Sequence, residues 1–293
     1  KINEYGIFKK NKKRASKHEA DIYNVLGLQY IEPELRENKG EFEAAKNNNL
    51  PDLVNIEDIK GDLHTHTNES DGLYPLEDMV KTAREKGYRY YAVTDHSQRV
   101  AMANGLDEKR LARQIEIIDA LNKKQNNFRI LKSVEVDILK DGSLDLSNDI
   151  LKQLDVVVCS VHYHLKLSKK KQTLRILRAM ENPYFNILAH PTGRVMGERS
   201  GYDVDMDKMI NEGGGKGGFG EINSSPNRLD LNDDYARLAK ENGVKISIST
   251  DAHSLAGLDF MKYGVAQARR GWLEKKDVLN TYSWNELKKI LKR

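Results

Sequence analysis

The sequence is nearly without cysteine. Cys159 is the only one in 293 residues, so no intrachain disulfide can form, and a reducing compartment, the cytoplasm, is the expected setting. No apolar run is long enough to span a bilayer, and the start lacks the charged, apolar and small-residue succession of a secretory signal. A membrane partner is therefore not expected. No Ser-His-Asp or cysteine-based nucleophile pattern is present. The first residue is Lys1 rather than Met, which points to a fragment of a longer chain. What remains is ample for a folded protein: 39% of residues are hydrophobic and 31% charged. That length suits one large domain with an appendage, or two modest domains. The formal charge of +4 is a weak hint of polyanionic partners. The lysines of Lys9–Arg14 and Lys169–Lys171 read as solvated surface.

The first sixty or so residues differ from the rest. KINEYGIFKKNKKR suggests a strand and an exposed turn, Glu19–Leu26 a short helix, and Pro33, Gly40 and the polar Asn47–Asn49 a broken path. Residues 1–57 have too few apolar positions for a domain and read as an appendage or linker. They hold no pair of closely spaced aspartates and no nucleotide-binding fingerprint, so template-directed synthesis is not expected. From Gly61 onward, strand-like runs (Gly61–His64, Tyr88–Thr94, Arg129–Val136, Asp155–Val161, Asn186–His190, Gly220–Asn223, Val244–Thr250) alternate with helical ones. Those helices are Pro75–Lys86, Leu111–Leu121, Gln172–Met180, Asp234–Glu241 and Leu258–Arg269. The alternation predicts an α/β fold with a parallel sheet. About seven repeats point to a closed barrel, an open doubly wound sheet being the alternative.

Of eight histidines, only His18 lies outside five short clusters: His64-Thr65-His66, Asp95-His96, His162-Tyr163-His164, His190-Pro191 and Asp251-Ala252-His253. Their preceding runs, such as AVTDH, VVVCSVH, NILAH and ISISTDAH, place them at predicted strand ends. In a parallel barrel those ends open on one face, so residues remote in sequence converge. An HxH pair on a strand directs both imidazoles to one side. Carboxylates complete the set. Asp71 lies in the polar loop after HTH, and Asp251 precedes His253 by same-face spacing. Glu135 interrupts the apolar SVEVDIL, where an unpaired carboxylate needs a cation or a hydrogen-bond donor. Asp95, beside His96, reads as orienting a ligand from behind, and Asp137 and Asp141 as turn or surface residues.

Mixed imidazole and carboxylate ligands suit zinc, manganese or iron. Nine candidates (His64, His66, Asp71, His96, Glu135, His162, His190, Asp251, His253) are enough for two or three ions sharing a bridging carboxylate. Three divalent ions would leave such a site net positive, which favours an anionic substrate such as a phosphate ester. Clustered ions activate water and stabilise both attacking and leaving oxygens. Arg194 and Arg228, just beyond ligand strands, are candidates for phosphate contact. Arg269 and Arg270 read rather as surface pairs. His164 is either a loop residue or a further substrate contact. Tyr163 and Trp272 are candidates for base stacking, Trp272 equally for the core.

HTHTNESDG, TDHS, EVDIL, SVHYH, HPTGR and TDAHS together resemble the motifs of the PHP (polymerase and histidinol phosphatase) superfamily, over roughly Asp58–Arg293. ELRENKGEFEAA, EINSSPNRLDL, ARRGWL and DVLNT resemble one branch, the C-terminal PHP domain of bacterial and archaeal family X DNA polymerases. KINEYGIF and YNVLGLQYIEPELR resemble the end of the polymerase core before it. The resemblance implies a distorted seven-stranded β/α barrel over residues 58–293 with three divalent ions. His64, His66, Glu135 and Asp251 would hold one; Glu135 would bridge to a second with His162 and His190; Asp71, His96 and His253 would hold the third. Glu135, Asp251 and His66 would form the catalytic centre. The implied activity is manganese-dependent 3′→5′ exonuclease action in DNA repair, with abasic-site endonuclease or 3′-phosphatase action as variants. Its partners would be single-stranded 3′ ends and the polymerase core in cis. A histidinol-phosphate-type phosphatase and a non-catalytic regulatory domain are the alternatives. One stretch departs from the pattern: GGGKGGFGEIN stands where such relatives usually have a helix and a strand. Gly213–Gly215, Gly217 and Gly218 disfavour helix, and Lys216 is followed by Gly rather than Ser or Thr. A flexible loop over Gly213–Gly220 is expected.

Overall fold

The computed structural model describes residues 1–15, 17–214 and 218–291, in two compact units, Lys1–Leu53 and Val54–Arg293. The first unit opens with an antiparallel sheet of β1 (Ile2–Asn3), β2 (Gly6–Lys9) and β3 (Lys12–Ala15). Lys10 and Asn11, at φ 47° and 58°, supply the left-handed turn whose twist matches its flanking strands. Helices Glu19–Val25 and Glu41–Lys46 follow. The second of these was hidden by the breaker Gly40, which here sits at its N-cap. The Glu41 carboxylate accepts the Asn38 and Lys39 N–H groups at 2.8 and 2.7 Å.

The second unit is built on seven parallel strands: β4 (Gly61–Asp62), β5 (Tyr90–Val93), β6 (Arg129–Asp137), β7 (Val156–Ser160), β8 (Ile187–Leu188), β9 (Phe219–Asn223) and β10 (Ile246–Ser249). They lie in chain order across the sheet, each neighbouring pair parallel. Helices run between them and bury one stripe each, such as Leu76, Met79, Val80 and Ala83 of Leu76–Glu85. In Glu108–Asn122, Leu111, Ile115 and Ile118 are buried and Asp107 caps the Arg110 N–H. The sheet nearly closes into a barrel just beyond β4 and β10. There the Asp251 N–H donates to the His64 carbonyl and the His66 N–H to the Ala252 carbonyl, both at 2.9 Å. Thr250 adds its N–H and Oγ1 to the Asp62 carboxylate at 3.1 and 2.5 Å. The segments that stitch the barrel shut are thus the ones that carry candidate ligands.

Period-two alternation sorts the strand side chains into two layers. Outward residues such as Tyr91, Val134, Cys159 and Ile248 pack under the helices. Tyr90, Ala92, Leu131, Val156, Val158 and Ile187 form a separate interior core with Leu279, Leu287 and Leu291 of the C-terminal segment. The inward series of β6 then changes from Leu131 through Ser133 to Glu135, all buried, so the barrel is apolar at one end and polar at the other. No strand shows this gradient to a local pattern search, because only every second residue belongs to it.

Regular structure flanks the glycine-rich stretch on both sides. Met206–Gly213 is a helix, capped by Asp205 and anchored by buried Met206, Met209 and Ile210, and β9 begins at Phe219. Burial of three large apolar side chains outweighs the roughly 1 kcal/mol that a terminal glycine costs a helix. Gly215, Lys216 and Gly217 lie outside the described residues. A C-terminal helix, Trp284–Ile290, also escaped the sequence pattern. Among the described residues, no helix is long and apolar enough to cross a membrane.

Candidate metal centre

At the polar end of the barrel the nine candidate ligands meet. Asp71, His66, His96 and His253 form one group; His64, His66 and Asp251 a second; His96, Glu135 and His162 a third, with ligand atoms in each within 4.8 Å of one another. His190 joins through Nε2, 3.1 Å from Glu135 Oε1. Glu135 stands at the centre. Its Oε2 faces His64 Nε2 at 3.4 Å, His66 Nε2 at 3.6 Å and His96 Nδ1 at 2.9 Å, while Oε1 faces His162 Nε2 at 3.4 Å and His190. Asp251 Oδ1 lies 3.1 Å from His66 Nε2 and 3.5 Å from His64 Nε2. Asp71 lies 3.4 Å from His253 Nε2 and 3.5 Å from His96 Nε2.

These spacings fit a cluster that holds metal ions. Most are too long or too poorly aimed for hydrogen bonds: His64 Nε2, both ring nitrogens of His66, His96 Nδ1 and Glu135 Oε2 are buried without a partner among the described residues. Two donors on one ion, each about 2.1 Å from it at a tetrahedral angle, are separated by about 3.4 Å. Orphaned buried nitrogens and oxygens at that separation fit a cation between them, and would otherwise each cost a desolvation penalty.

Electrostatics agrees. Burial and then the neighbouring imidazoles of His253 and His96 push His66 down to about 3, the neutral form a ligand requires. Burial opposes charge on Glu135, yet His96 and His64 hold its carboxyl well below the usual range. Burial likewise opposes charge on His96, but Glu135 and Asp71 push it up to about 10. The carboxylates are ionised and draw positive charge toward themselves, a demand that divalent ions meet.

Partners behind the ligands aim them. Glu221, fully buried, places Oε1 2.8 Å from His64 Nδ1 and accepts the His190 N–H through Oε2 at 2.8 Å. This leaves His64 Nε2 free to face the centre. The Asp251 carbonyl does the same for His253 Nδ1 at 2.8 Å. His190 and Asp251 also hold left-handed backbone, φ 29° and 54°, worth about 1–3 kcal/mol of strain each, which breaks the strand alternation at a ligand position. Glu221 was not singled out from sequence, although a glutamate in FGEIN carries the same signal as Glu135 in SVEVDIL. Glu221→Gln is expected to weaken metal affinity about 10- to 100-fold, measured by competition with a chromogenic chelator. Unchanged affinity would remove its orienting role.

Asp137 is not a surface residue: it is buried, accepts the His162 N–H at 3.0 Å and lies 3.2 Å from His162 Nδ1. Asp141 is exposed. Asp95 stands behind the ligand loop that follows HTH, accepting from Thr67 N–H, Thr67 Oγ1, Ser70 Oγ and Gln114 Nε2 at 2.6–2.8 Å. Arg194 is turned away, its guanidinium bonded to the Arg228 carbonyl at 2.7 Å and to the Leu229 carbonyl. It braces the loop that carries Arg228, whose Nε stands 3.6 Å from Asp251. His164 is exposed, at φ 58°, and is not brought to the cluster. Trp272 is half-buried under the Arg237 guanidinium, 4.2 Å from its ring centroid. The ligands open into a cleft of about 380 Å³, whose remaining wall is Val100, Met102, Ala103, Tyr163 and Arg228.

Comparison with known proteins agrees with this geometry. Residues 62–210 match the family described as PHP domain, and residues 1–37 the DNA polymerase beta thumb. The DNA polymerase/3′-5′ exonuclease PolX of Bacillus subtilis (strain 168) is 41% identical over all of this chain, which spans 51% of that relative's length. A probable phosphatase of Thermoanaerobacter sp. (strain X514) is 32% identical over 66% of this chain and 78% of its own length. A solved structure from Listeria monocytogenes, provisionally named a histidinol phosphatase, superposes with TM-score 0.55 at 15% identity, covering 68% of this chain and 97% of its own. That last likeness speaks to the fold alone.

Proposed function

The chain belongs to the PHP domain family, and on that premise we propose that its barrel is a metal-dependent phosphodiesterase that removes nucleotides from the 3′ end of single-stranded DNA. The observation that carries the metal reading is Glu135, whose two oxygens face two different sets of imidazoles at 2.9–3.6 Å. Three ions, manganese or zinc with iron as a further candidate, would be held by the nine ligands, Glu135 bridging two. Bound there, they would supply an activated water and neutralise charge on the phosphoryl oxygens.

The chain's own residues complete the work. Glu135, Asp251 and His66 set the ions' positions, Asp251 itself being held by the Asn223 amide at 2.9 Å. Arg228, on the cleft wall beside Asp251, would grip a phosphate by its planar fork. Arg194 supports it from behind. Residues 58–293 would form this phosphoesterase domain. Residues 1–57, which include the thumb-like segment, would be the end of a polymerase core and a linker, the core lying in cis. The relatives named as probable phosphatases favour a second reading, a phosphatase for small monoesters such as histidinol phosphate. The complete ligand set speaks against a purely regulatory barrel.

The two substrates separate by experiment. With manganese, a 5′-labelled single-stranded oligonucleotide should give a ladder shortened stepwise from its 3′ end. Arg228→Ala should raise KM about tenfold and flatten the salt dependence of binding, because one fewer phosphate contact releases fewer counterions. Rapid hydrolysis of histidinol phosphate with intact oligonucleotide would make the monoesterase reading correct.

A further inference from the structure

We infer that one wall of the cleft, formed by Tyr163 and Met102 with Arg99 against the Tyr163 ring, is a stacking platform for the base of the nucleotide being removed. The inference rests on the phosphodiesterase reading above and adds the part of the substrate that is recognised. The cleft has two chemistries. Its floor is imidazole and carboxylate, suited to ions and phosphate, whereas Val100, Met102 and Ala103 line one side with apolar groups next to the Tyr163 ring. A phosphate group has no use for that side. A nucleobase does, since each has a flat π-face that stacks on aromatic rings and on arginine.

The wall is built in advance. The Arg99 guanidinium lies 5.0 Å from the Tyr163 ring centroid, and Arg99 N–H is tied to Asp145 Oδ2 at 2.7 Å. The Tyr163 carbonyl accepts from Arg175 Nη1 at 2.9 Å, and Arg175, buried, also bonds the Leu139 carbonyl at 2.8 Å. These bonds fix the backbone of both residues, so less freedom is lost when a base settles on the ring. Opposite conditions hold for Met102, which is 96% exposed. A flexible thioether left wholly in water on the rim can fold over a ring of either size, a contact that sulfur makes favourably.

Two single-stranded oligonucleotides that differ only at the 3′ terminus, thymidine or its tetrahydrofuran abasic analogue, carry the same phosphates. The protein with manganese should remove thymidine with kcat/KM about tenfold higher, the effect of one stacked base. Tyr163→Ala and Met102→Ala should bring the ratio toward one, and Tyr163→Phe should keep it. Equal rates for the two termini in the unaltered protein would overturn the platform while leaving the phosphodiesterase reading intact. So would a Tyr163→Ala protein slowed equally on both, which is the signature of a structural role. Cleavage of neither would remove the reading and the platform together.

Discussion

Glu135→Gln should strip the protein of at least one divalent ion and slow phosphodiester hydrolysis by about a thousandfold or more, the loss that follows when several kcal/mol of charge stabilisation disappear. Glu135 is 1% exposed, and each of its oxygens faces a separate group of imidazoles. An amide keeps the shape but retains only one ligating oxygen, no negative charge, and a donor where an acceptor stood. It cannot serve two ions. Folding should survive, because His96, held protonated in part by Glu135, can release its proton once that charge is gone. Elemental analysis after manganese reconstitution, with hydrolysis of bis(4-nitrophenyl) phosphate, tests both parts. Full ion stoichiometry in Glu135→Gln would end the bridging role.

Chelation should lower the thermal midpoint of the barrel by roughly 10 °C. An ion present at about a thousand times its dissociation constant adds about 4 kcal/mol to the folded state, and each kcal/mol moves a domain of this size by about 2–4 °C. Its sign with pH follows from the ligands. Without ions, burial opposes charge on His253, yet Asp71 and Asp251 push it up to about 9, and His96 rises to about 10. Each ion must displace such protons, so ion binding weakens as pH falls, and the stabilisation it confers shrinks with it. Unfolding curves with and without EDTA, at about pH 8 and about pH 6, should therefore differ more at the higher pH. Coincident curves at both would show that no ion is bound tightly enough to matter.

Much of the barrel was legible in the sequence because its signals are local. The apolar stripe of Leu76, Met79, Val80 and Ala83 and the β-branched run Val156–Val158 declare helix and strand within a few residues of themselves, and the observed elements lie within a few residues of those expected. The elements missed are those whose stability is tertiary. Met206–Gly213 ends in glycine and holds together through buried methionines. Trp284–Ile290 is short, and Leu287 within it is completely buried in the barrel's interior core.

The candidate site divides along the same line. By itself the sequence determined which imidazoles and carboxylates stand at strand ends, since an apolar run followed by histidine or aspartate is a property of consecutive residues and the barrel delivers all such ends to one face. It also marked Glu135, because a carboxylate inside an apolar strand must have a partner. Only the tertiary structure decided the partners. Glu221 reaches His64 across 157 positions of chain, and Asp137 turns out to be buried under His162. Arg194 and Arg228, alike in the sequence, divide into a brace and a cleft residue because a long side chain takes whichever carbonyls the neighbouring loop presents. His164 stays outside: it is exposed, and only His162 of the pair lines the cleft. Pairings of this kind depend on the register between strands and on loop paths, which no run of adjacent residues encodes.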